Sequence, residues 1–204
     1  MKLRNYLFVA VLCAGISCDN LLFPQTGKPM KGDDPRKTPA GVITQLFNSY
    51  ESRSIGIFTS VLAADFKFYI SASFDRTQMV FSGDLQSEMP DTFMHYVNTT
   101  SLYYYWDYKA EVNSTTKLFS NAEDITIGEH SISRTNYTID SNGDTAYAEV
   151  EIADVTFNVS RYEGINTLVT YQIINQPQVF LMKKDADDLW VIWKWYDLGT
   201  ETGS

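Results

Sequence analysis

Few patterns in the sequence could do chemistry by themselves. The stretch STTK, residues 114–117, matches S-x-x-K, in which a Lys one helical turn after a Ser can take the proton of the hydroxyl. Enzymes that use this pattern also need S-D-N and K-T-G, and the sequence contains neither. The two histidines, His95 and His130, stand in no H-x-x-x-H or H-E-x-x-H pattern, and C-x-x-C is missing. We therefore expect no metal site, no cofactor and no acyl-serine chemistry.

Both cysteines, Cys13 and Cys18, lie near the N-terminus. They follow a basic start and an apolar run, residues 6–16, which has the length of a secretory signal and is too short to span a bilayer. The sequence GISC, which ends at Cys18, resembles the lipobox of bacterial lipoproteins, whose Cys is lipidated and becomes the mature N-terminus. This resemblance implies that residues 1–17 are a lipoprotein signal peptide and that Cys18 carries lipid. An ordinary secretory signal with a chance cysteine is the alternative.

The composition excludes some partners and indicates one folded domain. The 204 residues include 16 Lys and Arg against 25 Asp and Glu, a net charge of −9, which disfavours binding to nucleic acid. Residues 18–37 are rich in Pro, Gly and charge, which is typical of a flexible tether. Residues 38–199 are long enough to bury a core as one domain, and residues 200–204 form a tail.

The hydrophobic spacing predicts helices first. Apolar residues recur at helical spacing after Thr38-Pro39, a good N-cap followed by a favoured first helical residue, so we expect a helix over 38–52. A second, short helix is expected over 54–63, and alternation of apolar and polar residues predicts a strand over 65–71. We assign residues 101–119 to a helix capped by Asp107, although SLYYYW has strand propensity.

From residue 123 onward the sequence is typical of strands, with a hairpin at Asn142-Gly143. In the last strand, strict alternation puts Trp190 on one face and both Trp193 and Trp195 on the other. Aromatic residues on both faces indicate a sheet that is covered on both sides. The fold class is therefore α+β, with N-terminal helices packed on a curved antiparallel sheet.

Three stretches carry a resemblance to a known family. TPAGVITQLFNSYESRSIGIFTSVLAADFKFYIS resembles the opening of NTF2-like (SnoaL-like, cystatin-like fold) domains. YYWDYKAEVNSTTKLFS is similar to their third helix, and DDLWVIWKWYDLG to their closing strand, so the resemblance covers residues 38–198. It implies a cone with an internal pocket, of the kind found in bacterial envelope lipoproteins. It implies no single activity, because this fold serves enzymes, binding modules and dimerisation domains.

The resemblance also implies candidate residues. Enzymes of this superfamily, such as ketosteroid isomerases and polyketide cyclases, use a carboxylate or His base and a Tyr or Asp donor inside the cone. Glu111 and His95 are the candidate bases here, and Tyr69 or Tyr104 the candidate donors. A solvent-facing position is the alternative for Glu111, and a plain loop position for His95.

The aromatic run at residues 103–106 indicates a ligand pocket. Consecutive aromatic side chains point in different directions, so some must face a pocket or a surface. We expect the pocket for a small apolar ligand to be lined by Tyr69, Tyr104, Trp106, Glu111 and Trp195. Core packing together with a dimer face is the alternative.

These observations favour a binding protein over an enzyme. We expect a lipoprotein of the bacterial cell envelope, anchored by lipid to the inner or the outer membrane, that binds a small apolar ligand or a protein partner. The first alternative is a pocket enzyme with Glu111 or His95 as general base. The second is a structural homodimerisation module that uses a sheet face bearing Trp193 and Trp195. The binding protein and the enzyme both require a pocket, whereas the dimerisation module requires a filled cone and an exposed apolar patch.

Overall fold

The structure is a computed structural model of the chain. It describes residues 34–71, 86–90, 95, 97–98, 100–128, 130–163 and 166–198. After a short 3₁₀ helix (Pro35–Lys37), the helices are α1 (Pro39–Glu51), α2 (Ile55–Ser60) and α3 (Tyr108–Asn121). The strands are β1 (Leu62–Ser71), β2 (Gln86–Glu88), β3 (Tyr103–Asp107), β4 (Asp124–Ile127), β5 (Ser131–Ile139), β6 (Thr145–Glu163), β7 (Thr167–Lys184) and β8 (Trp190–Asp197). The predicted signal peptide, Cys18, most of the tether and the tail lie outside the described residues.

The first helix forms where its capping signal predicts it. The Thr38 side chain accepts the Gly41 N–H at 3.1 Å, and Pro39 occupies the first helical position. Val42, Ile43 and their helical neighbours are buried against the sheet, so the apolar spacing of the sequence is realised.

The predicted helix over 101–119 is wrong in its first part. Residues 103–107 form β3, because their aromatic side chains fit a pleated surface and β3 pairs with β1 along its length. The helix begins at Tyr108, and its cap is the predicted one, since Asp107 Oδ1 accepts the Ala110 N–H at 2.9 Å.

The described residues form one eight-stranded sheet. Seven of its strands follow the order β2-β3-β1-β8-β7-β6-β4, and the eighth, β5, pairs with β6. β6 is long enough for β5 to pair with its first half and β4 with its second. Neighbouring strands are antiparallel except for β1 and β8, which are parallel. The predicted α+β class, with N-terminal helices on a curved and mostly antiparallel sheet, is confirmed.

The sheet has a buried core on each face. The larger core lies between the helices and the sheet and includes Leu46, Phe58 and Phe68. The smaller core, on the opposite face, includes Tyr69 and Tyr196. Alternation along β1 and β8 explains this division, because successive side chains point to opposite faces.

The last strand departs from strict alternation. Leu181 of β7 pairs with Lys194, whereas the next residue of β7 pairs with Ile192, so Trp193 is an extra residue. This β-bulge returns Trp195 to the helix-covered face, while Trp193 packs on the opposite one. The prediction that Trp193 and Trp195 share a face is therefore wrong.

Candidate functional site

A cavity of about 360 Å³ lies between the helices and the sheet. α1 contributes Phe47 and Tyr50 to its wall, and α3 contributes Glu111, Thr115 and Leu118. The predicted pocket therefore exists, and it is walled by helices that pack on one face of the sheet.

Four aromatic side chains from four adjacent strands form a row on this face. Phe68 of β1 pairs in register with Trp106 of β3 and with Trp195 of β8, which pairs in turn with Phe180 of β7. The Phe68 and Trp106 rings are stacked, with centroids 4.4 Å apart, and the Phe68 and Trp195 rings are 4.9 Å apart. The first three members of this aromatic row, Trp106, Phe68 and Trp195, line the cavity and give it an apolar floor.

Glu111 is the buried carboxyl group of the cavity, with only 5% of its surface exposed. The Asp107 cap places Glu111 in the first turn of α3, where it accepts hydrogen bonds from the Trp106 indole and, at 3.2 Å, from the Thr115 hydroxyl. Within the described residues, no Lys, Arg or His forms an ion pair with it. Burial raises the pKa of the Glu111 carboxyl, although both hydrogen bonds act in the opposite direction.

Tyr50 of α1 lines the same cavity as Glu111. Tyr50 is buried among aromatic rings, with only 6% of its surface exposed. Burial, and secondly the nearby charge of Glu111, raise the pKa of Tyr50 well above its usual value. Tyr50, Thr115 and Glu111 thus place three polar groups on the helical wall of the cavity.

A second polar group lies on the sheet side. The Trp195 indole donates to Gln178 Oε1, and Gln178 Nε2 donates to Asp197 Oδ1 at 3.1 Å. Each indole that lines the cavity is therefore held by its own oxygen acceptor, Trp106 by Glu111 and Trp195 by Gln178.

Three of the predicted pocket residues, Trp106, Glu111 and Trp195, do line the cavity. The solvent-facing alternative for Glu111 is wrong. Tyr104 packs against the larger core but does not line the cavity. The predicted place of Tyr69 in the pocket is also wrong, because β-strand alternation turns it to the opposite face, where it stacks on the Tyr196 ring at 4.3 Å.

His95 also lies away from the cavity. Its backbone N–H donates to Glu149 Oε2 at 3.0 Å, its side chain is exposed, and it is not part of the cavity wall. Of the two candidate bases, the structure therefore brings only Glu111 to the cavity.

Sequence reasoning missed Tyr50, Thr115, Gln178 and Asp197 as cavity residues. Thr115 could have been found, because it stands one helical turn after Glu111 and so shares its face. Gln178 and Asp197 meet through the register of β7 and β8, for which the sequence carries no local signal.

Among the described helices, none has both the length and the apolar character needed to cross a membrane. The described ranges also hold no group of three or more His, Cys, Asp or Glu residues that could bind a metal ion.

The helices on a curved sheet, with a cavity between them, make this an NTF2-like α+β fold, as the sequence resemblance implies. The chain is similar to the solved structure of a conserved protein from Planctomyces limnophilus DSM 3776, with 7% identity and a TM-score of 0.50 over 78% of this chain and 91% of that one. A nuclear transport factor 2 (NTF2-like) superfamily protein from Salmonella enterica is similar at 11% identity and a TM-score of 0.47, over 83% and 94% of the two chains. No protein-family model and no curated protein matches the sequence. At 7% identity, the likeness to the Planctomyces protein indicates a shared fold and nothing about activity.

Proposed function

We propose that this domain binds a small, largely apolar ligand in the cavity between its helices and its sheet. The observation that carries the proposal is a cavity of about 360 Å³ with an aromatic floor and one buried carboxyl group, Glu111. Sites for small molecules combine these features, a mostly apolar lining with a few polar groups that orient the ligand.

Glu111 is the group that orients the ligand in this proposal. Its raised pKa favours the protonated carboxyl, which can donate a hydrogen bond to an oxygen of the ligand. Trp106 and Thr115 hold the carboxyl in place, so little side-chain freedom is lost when a ligand binds.

The neutral fluorescent probe N-phenyl-1-naphthylamine tests binding. We expect the protein to enhance the fluorescence of the probe in a saturable way and Ser114→Trp, which adds bulk to the cavity wall, to abolish the enhancement. Ser120→Trp is the matched control, because Ser120 is exposed on the same helix and does not line the cavity. Equal binding by both variants would place the probe elsewhere and contradict the proposal.

The proposal extends to location. We propose that Cys18 carries a lipid anchor that holds the domain at the membrane of a bacterial cell envelope, on the support of the lipobox resemblance. In cells, Cys18→Ser should lose metabolic labelling with palmitate and leave the detergent phase of a Triton X-114 extract. Cys13→Ser is the control and should keep both properties. Label on the Cys18→Ser protein would contradict the anchor.

Acid–base catalysis by Glu111 is the second candidate function. It is favoured by one observation, a buried carboxyl of raised pKa inside an apolar cavity, which is how general bases are tuned. 5-Nitrobenzisoxazole tests it, because a carboxylate that takes the C3 proton breaks the N–O bond and releases a coloured cyanonitrophenolate. A rate above that of free carboxylate that disappears in Glu111→Gln supports catalysis, and equal rates in the two proteins exclude it.

The structural homodimerisation module receives less support. It requires a filled cone, yet the cone contains a cavity, and it requires Trp193 and Trp195 on one face, yet the bulge separates them. A homodimer or a complex with another protein stays a prediction, which sedimentation of the purified protein tests.

A further inference from the structure

A second space adjoins the cavity. This groove has a volume of about 470 Å³ and lies between α3, the C-terminal part of β6 and the N-terminal part of β7. Ser114 and Leu118 of α3 line both the groove and the cavity, so the two spaces meet along one turn of this helix. A ligand long enough to pass this turn of α3 would occupy both spaces.

The groove differs from the cavity in its charge. Its lining includes two cationic side chains, Lys117 and Arg161, and no carboxylate among the described residues. The chain has a net charge of −9, so two cations in the lining of one groove are a local exception, although Arg161 forms an ion pair with Glu163 beside it. Lys117 forms no ion pair with any described residue.

Arg161 is held in position by its neighbours. Its Nη2 donates to Glu163 Oε1 at 2.9 Å and to the Tyr171 hydroxyl at 3.2 Å, and the guanidinium lies 4.7 Å from the centre of the Tyr171 ring. A guanidinium has five N–H donors, so the bonds through Nη2 leave donors on Nε and Nη1 for a ligand. An oxyanion fits such a donor set well.

We infer that the ligand of this cavity is an amphiphile with an anionic head, and that Lys117 and Arg161 bind this head in the groove. The inference rests on the proposed binding function and adds the chemical class of the ligand. The apolar body lies on the aromatic row, and the oxyanion lies beyond Ser114 and Leu118. Ser114 and Lys117, which match a nucleophile motif in the sequence, here line a binding site on successive turns of α3.

Paired ligands that differ only in the head test the inference. Decanoate and decanol each displace N-phenyl-1-naphthylamine from the full-length chain carrying Cys18→Ser, in detergent-free buffer. We expect decanoate to bind more tightly than decanol. Lys117→Gln should weaken decanoate binding about two- to fivefold, the effect of an exposed ion pair, and leave decanol binding unchanged.

Matched variants separate the groove from general charge effects. Lys109→Gln removes the same charge from an exposed position on the same helix outside the groove, and it should change neither affinity. Arg161→Gln frees the Glu163 carboxylate, so Arg161→Gln is also measured together with Glu163→Gln. The double variant should still bind decanoate less tightly than the protein with an unsubstituted groove, and its affinity for decanol should be unchanged.

The outcomes distinguish the two proposals. Equal affinities for decanoate and decanol, or equal effects of Lys117→Gln and Lys109→Gln, would overturn the anionic head and leave the cavity as a binding site. A protein that binds neither the probe nor either ligand would overturn the proposed function and this inference with it.

Discussion

Replacing Trp106 by Phe should destabilise the protein in a pH-dependent way. The substitution keeps an aromatic ring stacked on Phe68 but removes the indole N–H that Glu111 accepts. The buried carboxyl then has one remaining donor, the Thr115 hydroxyl. The cost of this loss depends on whether Glu111 is charged.

The magnitude follows from the charge of the acceptor. A hydrogen bond to an ionised group contributes about 1.5–3 kcal/mol to stability, and one between neutral groups about 0.5–1.5 kcal/mol. Because Trp106 also lowers the pKa of Glu111, its removal raises this pKa further above the value in the unfolded chain. Stability is then lost as the pH rises, so Trp106→Phe should cost about 2–3 kcal/mol at pH 8 and about 1 kcal/mol at pH 5.

Thermal unfolding followed by circular dichroism measures both costs. For a domain of this size, 1 kcal/mol shifts Tm by about 2–4 °C, so we expect Trp106→Phe to lower Tm by about 4–12 °C at pH 8 and clearly less at pH 5. In a Glu111→Gln background the effect should be small and independent of pH. Equal effects at both pH values, or no coupling between the two substitutions, would refute the role assigned to this hydrogen bond.

Trp193→Phe is the matched control. The Trp193 ring lies on the opposite face, where Lys183 Nζ is 5.3 Å from its centre and forms an ion pair with Asp65. Desolvation acts to raise the pKa of the Asp65 carboxyl, but Lys183 lowers it overall. A carboxyl of lowered pKa loses its contribution only as the pH falls through that pKa, so Asp65 stays ionised from pH 5 to pH 8. Loss of the Trp193 indole should therefore have the same effect at both pH values.

Three further predictions concern single positions. Glu111→Gln should raise Tm at pH 8 more than at pH 5, because the pKa of Glu111 is higher in the folded than in the unfolded protein and its charged form therefore opposes folding. Thermal melts at the two pH values measure this difference, and equal shifts would contradict it. Gly41→Ala should cost about 1–3 kcal/mol in urea unfolding, because the added Cβ would lie 1.9 Å from the Pro35 carbonyl oxygen, whereas Gly56→Ala meets open space and should be neutral or stabilising. Phe68→Ala removes the centre of the aromatic row and should cost about 3–5 kcal/mol in the same assay; a loss below about 1 kcal/mol would show that the row collapses without penalty.

The helices were predictable because their signals are local. The Thr38 and Asp107 caps and the apolar spacing of α1 depend on residues within one or two turns, and the structure confirms them. The same local reasoning extended α3 too far toward the N-terminus. Residues 103–107 are strand because β1 lies beside them, and a neighbour so distant in sequence leaves no local trace.

The existence of a cavity between helices and sheet could be predicted, but only some of its lining residues could. Alternation separates Phe68 from Tyr69, but the sequence does not say which of the two faces the helices. The bulge at Trp193 shifts the alternation of β8 by one residue, and no Gly or Pro marks it in the sequence. Glu111 was found through a family resemblance, whereas the other polar pair of the cavity, Gln178 and Asp197, depends on the register of β7 and β8.

The pairing of each cavity indole with an oxygen acceptor has an optical consequence. Trp106 and Trp195 line the cavity, whereas the other two tryptophans, at positions 190 and 193, do not. A bound ligand would displace water from the two cavity rings and alter the bond of one of them to Glu111, so the emission of these two alone should move to shorter wavelength. With a ligand in the proposed site, these two tryptophans would act as an unlabelled fluorescent reporter of occupancy, and the other two would supply a constant reference.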